Sequence, residues 1–192
     1  MNRRLSTRGV KCFHITEGID ISLYKKGKDL VNRNIDILEL GRLYEKFNKN
    51  LIDSHYYKNI IHNYKDPKEG LLFETFEDLV NGICDSKIVI CFPRSLTHPE
   101  ESRGIETLTQ RYWECMLSRS LIVGKAPADL IEFMGYNPVV EVDFDNVGIQ
   151  MNDLLNNISS YQKLVDRNYV FALNNASWEI RAKYIKKILL EE

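Results

Sequence analysis

"IETLTQRYWECMLSRSLIVG", residues 105–124, passes from a polar stretch through a helical pattern into a short apolar run that closes on a glycine. A helix feeding directly into "SLIVG" (120–124) is a helix–strand unit, and a strand so nearly continuous in branched apolar residues is one buried on both faces. The same stretch carries two glutamates, Glu106 and Glu114, with seven residues between them. On a helical wheel Leu108, Tyr112, Cys115 and Met116 face one way, and Thr107, Gln110, Arg111 and Glu114 face the other. The pattern alone leaves two readings: the solvated side of an amphipathic helix, or carboxylates placed to hold a ligand.

The same alternation extends in both directions from this unit. "IDILELG" (35–41) reads as the first strand, with Gly41 allowing a tight turn into a long helix over "RLYEKFNKNLIDSHYYKNIIHNY". "GLLFE" (70–74) reads as a second strand, followed by a helix over "FEDLVNGICD" that Thr75 can cap, with Asp78 at the capping-box spacing. "KIVICF" (87–92), "SLIVG" and "PVVEV" (138–142) are the later strands, and "PADLIEFM" is a helix between the last two. From Gly148 onward the pattern is helical, and in the last helix Trp178, Ala182, Ile185 and Leu189 share one stripe. Strands separated by helices predict a parallel sheet covered on both faces, a Rossmann-like αβα sandwich with a helical C-terminal cap. Residues 1–34 read as a segment entering the domain, and residues 35–192 as the domain itself.

Composition bounds the function. The chain has 192 residues, enough for one domain that removes about 70% of its unfolded surface from water. Hydrophobic residues at 44% and charged residues at 28% describe a folded globular chain rather than a disordered or fibrous one. With 27 acids against 26 bases there is no field to draw a polyanion, so nucleic acid is not an expected partner. The apolar stretch after the N-terminal arginines is only "VKCFHI", too short for an export signal, and no run approaches the ~20 residues of a membrane span. Cys12, Cys84, Cys91 and Cys115 lie in apolar segments without a Cys-x-x-Cys pair, so buried, reduced thiols in a cytoplasmic protein are expected.

Open parallel sheets bind ligands beyond the carboxyl ends of their strands, where loops meet helix N-termini. Glu106 and Glu114 fall at such a place, as do Arg94 and His98 in "FPRSLTHPE", which read either as surface loop or as contacts to a nucleotide. His55 and His62 read as surface residues of a polar helix, since no third metal ligand lies near them in sequence.

Several segments then resemble one family in the correct order. "ECMLSRSLIV" resembles the stretch around the second glutamate of group 1 glycosyltransferases of the GT-B fold, whose first glutamate lies where Glu106 does. "HITEGIDISLY" (14–24) is similar to that family's segment entering the C-terminal domain, which ends on an aromatic residue, and "LELGRLYEK" (38–46) to the domain's first strand. "GYNPVVEVD" (135–143) and "ASWEIRAKYIKKIL" resemble its short late strand and its terminal helix.

The resemblance implies half of a GT-B fold, binding a nucleotide-diphosphate sugar. Glu114 would accept the two ribose hydroxyls, Glu106 would face the donor sugar, and Arg42 with Lys46 or Lys49 would meet the diphosphate. "TLTQ" (107–110) stands where the family has glycines after its first glutamate, and the Thr107 and Thr109 hydroxyls would substitute as phosphate donors with Arg111 supplying charge, while Arg94 keeps its two readings, surface loop or contact to the base or sugar. Arg119 also stands where the family has glycine. No metal or other cofactor is implied, and the acceptor would be held by an N-terminal domain or partner chain. A non-catalytic nucleotide- or sugar-binding module, or an unrelated Rossmann-like protein, are the competing readings. A place in the cytoplasm, at most peripheral to the inner face of the membrane, is expected.

Overall fold

The computed structural model describes residues 9, 12–41, 43–65 and 70–190. Among them five strands, β1 (Ile35–Glu39), β2 (His62–Tyr64), β3 (Ser86–Cys91), β4 (Leu121–Gly124) and β5 (Val140–Glu141), form one sheet in the order β2-β1-β3-β4-β5. Every pairing is parallel. The helices are α1 (Glu45–Ile52), α2 (Phe76–Cys84), the single turns α3 (Arg94–Thr97) and α4 (Pro99–Ser102), α5 (Gln110–Leu117), α6 (Ala128–Met134), α7 (Val147–Asn156), α8 (Gln162–Asn175) and α9 (Trp178–Leu190).

Successive strand residues point to opposite faces, and here both faces are apolar. Leu38, Val89 and Ile122 join Ile83 of α2, Trp113 and Met116 of α5 and Leu130 of α6 in one core. Their neighbours Ile37, Ile88, Leu121 and Val123 join Phe47 and Leu51 of α1 and Met151 and Leu154 of α7 in the other. The predicted Rossmann-like α/β sandwich is therefore the observed fold.

Two local expectations fail. "GLLFE" is not a strand: Leu72 and Phe73 pack on the first core from a loop, and the Phe73 ring lies where a Cβ on Gly82 would stand, 2.2 Å from its Cζ. The missing strand is "HNY" (62–64), which the sequence placed at the end of a helix. Helix α1 stops at Ile52, and the chain returns to the sheet edge, where Ile61 O accepts the amides of Asp36 (3.0 Å) and Ile37 (3.1 Å). His62 is consequently not a surface residue. Its side chain is fully covered, with Nε2 3.0 Å from Oε1 of the buried Glu39, an oxygen that also accepts Asn48 Nδ2 at 3.0 Å. His55 is exposed as expected.

The segment before β1 is packed against the domain. Ile19 bridges to Ser177 in parallel, and Ile19 N–H donates to Ala176 O at 2.9 Å. Farther along, Arg33 is buried and its Nη1 donates to Ser86 O (2.8 Å) and Ser120 Oγ (2.9 Å), while Nη2 reaches Ser118 O (3.0 Å) and Arg119 O (2.8 Å). Arg119, just after α5, has φ 55 in the left-handed region, which glycine adopts without strain. Its guanidinium offsets that strain by binding Gly27 O (2.9 Å), Asp29 Oδ1 (2.9 Å) and Asp166 Oδ1 (2.5 Å from Nη2).

Arg119 thus combines an unfavourable backbone with a favourable side chain, and two substitutions separate them. Arg119→Ala is expected to destabilise the fold by about 2 kcal/mol, the low part of the range for charged hydrogen bonds because Asp29 and Asp166 are half exposed. Arg119→Gly should recover about 1 kcal/mol of this by relieving the left-handed residue. Denaturant midpoints of the three proteins test both; an alanine variant as stable as the glycine variant would refute the strain.

Candidate functional site

A cavity of about 890 Å³ opens at the carboxyl ends of β1 and β3. One side is the end of β1, where Gly41 has φ 76, and the end of β3 with Cys91 and Phe92. Another is the N-terminal half of α5, with its cap Thr109, Arg111 and Glu114, and a third is the 71–76 loop with the start of α2. Thr109 stands at the N-cap of α5 but makes no side-chain capping bond. The helix begins at Gln110, later than the sequence suggested, and Thr107 is exposed outside the cavity.

Glu114 is only 7% exposed, so the wet-face reading of α5 is wrong for this residue. The cover comes from the N-terminal segment, which crosses the polar side of the helix. Tyr24 Oη donates to Glu114 Oε1 at 3.0 Å, and Trp113 Nε1 donates to Glu17 O at 3.1 Å. On the other oxygen, Arg111 Nη1 approaches Glu114 Oε2 at 2.5 Å, without the alignment of a hydrogen bond. A buried carboxylate is costly unless paired, and these two partners compensate it. Burial, then the charge of Glu114, pushes the Tyr24 phenol well above its ordinary range. Tyr24 is therefore a proton donor at neutral pH.

Glu106 belongs to a neighbouring cluster at the end of β4 and does not line the cavity. Its Oε1 lies 3.7 Å from Lys125 Nζ. Beside it Asp129 Oδ2 accepts the Leu108 amide at 2.9 Å and stands 3.8 Å from His14 Nε2. Polar atoms without a protein hydrogen bond gather along this rim: Thr97 Oγ1, His98 Nδ1, Glu106 Oε1, Arg111 Nη1, Glu114 Oε2 and Asp129 Oδ1 are buried at or beside the ends of β3 and β4. Arg111 Nη1 and Glu114 Oε2 face each other as an ion pair and Glu106 Oε1 stands near Lys125, so the open hydrogen-bonding capacity at this rim rests on Thr97, His98 and Asp129, where a polar ligand can dock.

The other residues expected from sequence are scattered. Arg94 is exposed and pairs with Glu101, while Thr97 on the same turn lines the cavity. Lys46 is exposed with Nζ 4.8 Å over the Phe144 ring, outside the cavity, and Lys49 is exposed. Arg42 lies outside the described residues. The sequence missed Glu17, Glu39, Lys65 and Glu74, which also line the cavity. Apolar periodicity carries no signal for a polar lining assembled from separate loops. It missed Tyr24 as well, although the aromatic end of its segment was visible. Cys91 and Cys115 are buried with Sγ atoms 3.7 Å apart, and burial raises the Cys115 thiol; Cys12 and Cys84 are only partly buried. Among the described residues no cluster of three or more His, Cys, Asp or Glu could hold a metal, and no helix is long and apolar enough to cross a membrane.

No protein-family model and no curated protein matches the sequence. Among solved structures, the chain superposes on sucrose-phosphate synthase from Thermosynechococcus elongatus with a TM-score of 0.66 over 99% of its length, at 13% identity. It spans 55% of the length of that synthase. The five-stranded parallel α/β fold thus resembles a GT-B glycosyltransferase domain.

Tyrosine ionisation reads out this packing. Burial also pushes Tyr112 upward; its Oη donates to Lys125 O at 2.6 Å beside the site. Unfolded tyrosines ionise near pH ~10, whereas Tyr24 and Tyr112 are raised in the folded chain, so unfolding releases protons above that pH. Their contribution to stability is complete below pH ~10 and is lost as pH rises beyond it. Denaturant midpoints should hold through pH ~9 and fall above ~10, with part of the fall removed in Tyr24→Phe. Phenolate absorbance showing every tyrosine ionised near pH ~10 in a still-folded protein would contradict the burial.

Proposed function

We propose that the chain binds the nucleotide-diphosphate sugar of a glycosyltransferase, as the donor side of a two-domain enzyme whose acceptor side is an N-terminal domain or a partner chain. The observation carrying this reading is Glu114: a carboxylate buried in the wall of a cavity at the ends of parallel strands, in a GT-B-like domain. Two carboxylate oxygens suit a vicinal diol, because each accepts one hydroxyl proton, so Glu114 receives the ribose.

Glu106, with a buried oxygen free of hydrogen bonds, faces the donor sugar in this scheme. Lys65 and Arg111 are cations of the cavity wall available to a diphosphate, and the family resemblance adds Arg42 as a candidate for the same role. Lys46 is the weaker choice, since its ammonium lies on Phe144. The N-terminus of α5, with the Thr109 hydroxyl at its cap, adds partial positive charge. Transfer then needs an acceptor positioned against the anomeric carbon in a water-poor cleft, which a donor side alone does not build. We place this activity in the cytoplasm and require no metal for it.

A second reading, a binding module without turnover, is favoured by "TLTQ" at 107–110 in place of glycines and by the acid-rich wall formed by Glu17, Glu39, Glu74 and Glu114. Sugar transfer on adding an acceptor-binding partner domain separates the two.

Calorimetry against UDP, GDP and ADP and their sugars tests the donor site. Glu114→Ala should cost about 1.5–3 kcal/mol, or roughly 10- to 150-fold in affinity. No binding by the wild type, or unchanged affinity in the variant, excludes the assignment. Binding should also survive EDTA; loss with EDTA and recovery with Mg²⁺ or Mn²⁺ would overturn metal independence.

A further inference from the structure

We infer that Tyr24 is a positioning residue for nucleotide recognition, holding the Glu114 carboxylate in the orientation that meets the ribose diol; the inference rests on the donor-site reading above. The observation is the bond from Tyr24 Oη to Glu114 Oε1 at 3.0 Å, between residues 90 apart in sequence. Neutralising the buried charge does not require this bond, because Arg111 Nη1 already stands 2.5 Å from the other oxygen. The neutral phenol contributes direction instead. With Oε1 held by Tyr24 and Oε2 facing Arg111, the plane of the carboxylate is set before a ligand arrives, and each oxygen keeps a further lone pair for a hydroxyl. Holding a flexible glutamate in its binding rotamer beforehand lowers the ordering cost of binding.

Tyr24 is itself held from both directions along the chain. Before it, the turn Ile21–Leu23 is capped by Asp20, whose Oδ1 accepts Ser22 N (3.0 Å) and Oγ (2.6 Å), and Tyr24 N–H closes the turn on Ile21 O. After it, Gly27 O is bound by Arg119 Nη1 at 2.9 Å. The ring meets Phe76 edge-on, with centroids 5.7 Å apart and planes at 79°, and Phe76 lines the cavity. The hydroxyl therefore has little freedom to leave Glu114.

The test compares the nucleoside diphosphate that the wild type binds best among UDP, GDP and ADP with its 2′-deoxy counterpart, in wild type, Tyr24→Phe, Glu114→Gln and the double variant. Phenylalanine keeps the ring contact with Phe76, and the denaturant midpoint confirms folding. Tyr24→Phe should weaken the ribonucleotide about fivefold and leave the 2′-deoxy nucleotide within about twofold, compressing the preference for ribose. The double variant should bind no worse than Glu114→Gln, because the phenol acts through the carboxylate. Equal losses for both nucleotides, or additive losses in the double variant, would show a structural role only and overturn the inference. So would an unaltered ribose preference in Tyr24→Phe while Glu114→Gln abolishes it. A wild type that binds neither nucleotide, or a ribose preference that persists in Glu114→Gln, would instead remove the donor-site reading, and the inference with it.

Discussion

A parallel sheet covered on both faces confines most polar chemistry to the ends of its strands. Its interior side chains must be apolar whichever way they point, as Ile37 and Leu38 or Ile88 and Val89 are here, each neighbour belonging to the opposite core. Charged groups that need partners therefore collect where the strands stop and the loops begin. In this chain the two ends are used differently. The carboxyl end carries the cavity, the buried Glu114 and the unpaired polar atoms, whereas the amino end is closed by the guanidinium of Arg33 across Ser86, Ser118 and Arg119. At the amino end Arg33 satisfies these backbone carbonyls and leaves only the Ser118 hydroxyl without a partner among the described residues there, whereas the carboxyl end keeps hydrogen-bonding capacity for something else.

The strand-to-strand fit also constrains what can line the cavity. Gly124, with φ 145 at the end of β4, leaves no room for a side chain: a Cβ there would stand 2.0 Å from Cys91 O. β3 and β4 consequently end side by side, Cys91 paired with Gly124, and Lys125 N–H donates to Cys91 O at 3.0 Å. Lys125 follows directly, with its ammonium 3.7 Å from Glu106 Oε1.

How much of this could be read from the residues follows from the kind of signal each element carries. β1, β3 and β4 announced themselves because buried strands must be apolar runs, and β5, a two-residue edge strand, through the apolar "PVVEV" around it. β2 did not, since "HNY" is a short polar edge strand whose covered His62 side chain finds its partner in Glu39. "GLLFE" misled for the converse reason: a loop that packs on a core is as apolar as a strand. At the site, Glu114, Arg111 and Thr109 line one cavity as their positions suggested, yet the burial of Glu114 was illegible, because its cover comes from Tyr24, far away in the chain. Periodicity reports what a helix does to itself, and it is silent about what lies across it.

The clasp of Arg33 and Arg119 on the N-terminal segment implies an order of assembly. Beyond the local Lys28 O, the acceptors that hold Arg33 come from the start of β3 and the α5–β4 turn, and Arg119 reaches Asp166 on α8 and Asp29 before β1. None of these sites exists until β3, α5 and β4 have come together, and closing such long loops is the slow part of folding a chain with distant contacts. Residues 27–33, which precede β1, would then be among the last to be secured. The Leu30 amide, which donates to Gln162 Oε1 at 2.9 Å, should gain protection from hydrogen exchange only after the sheet amides during refolding.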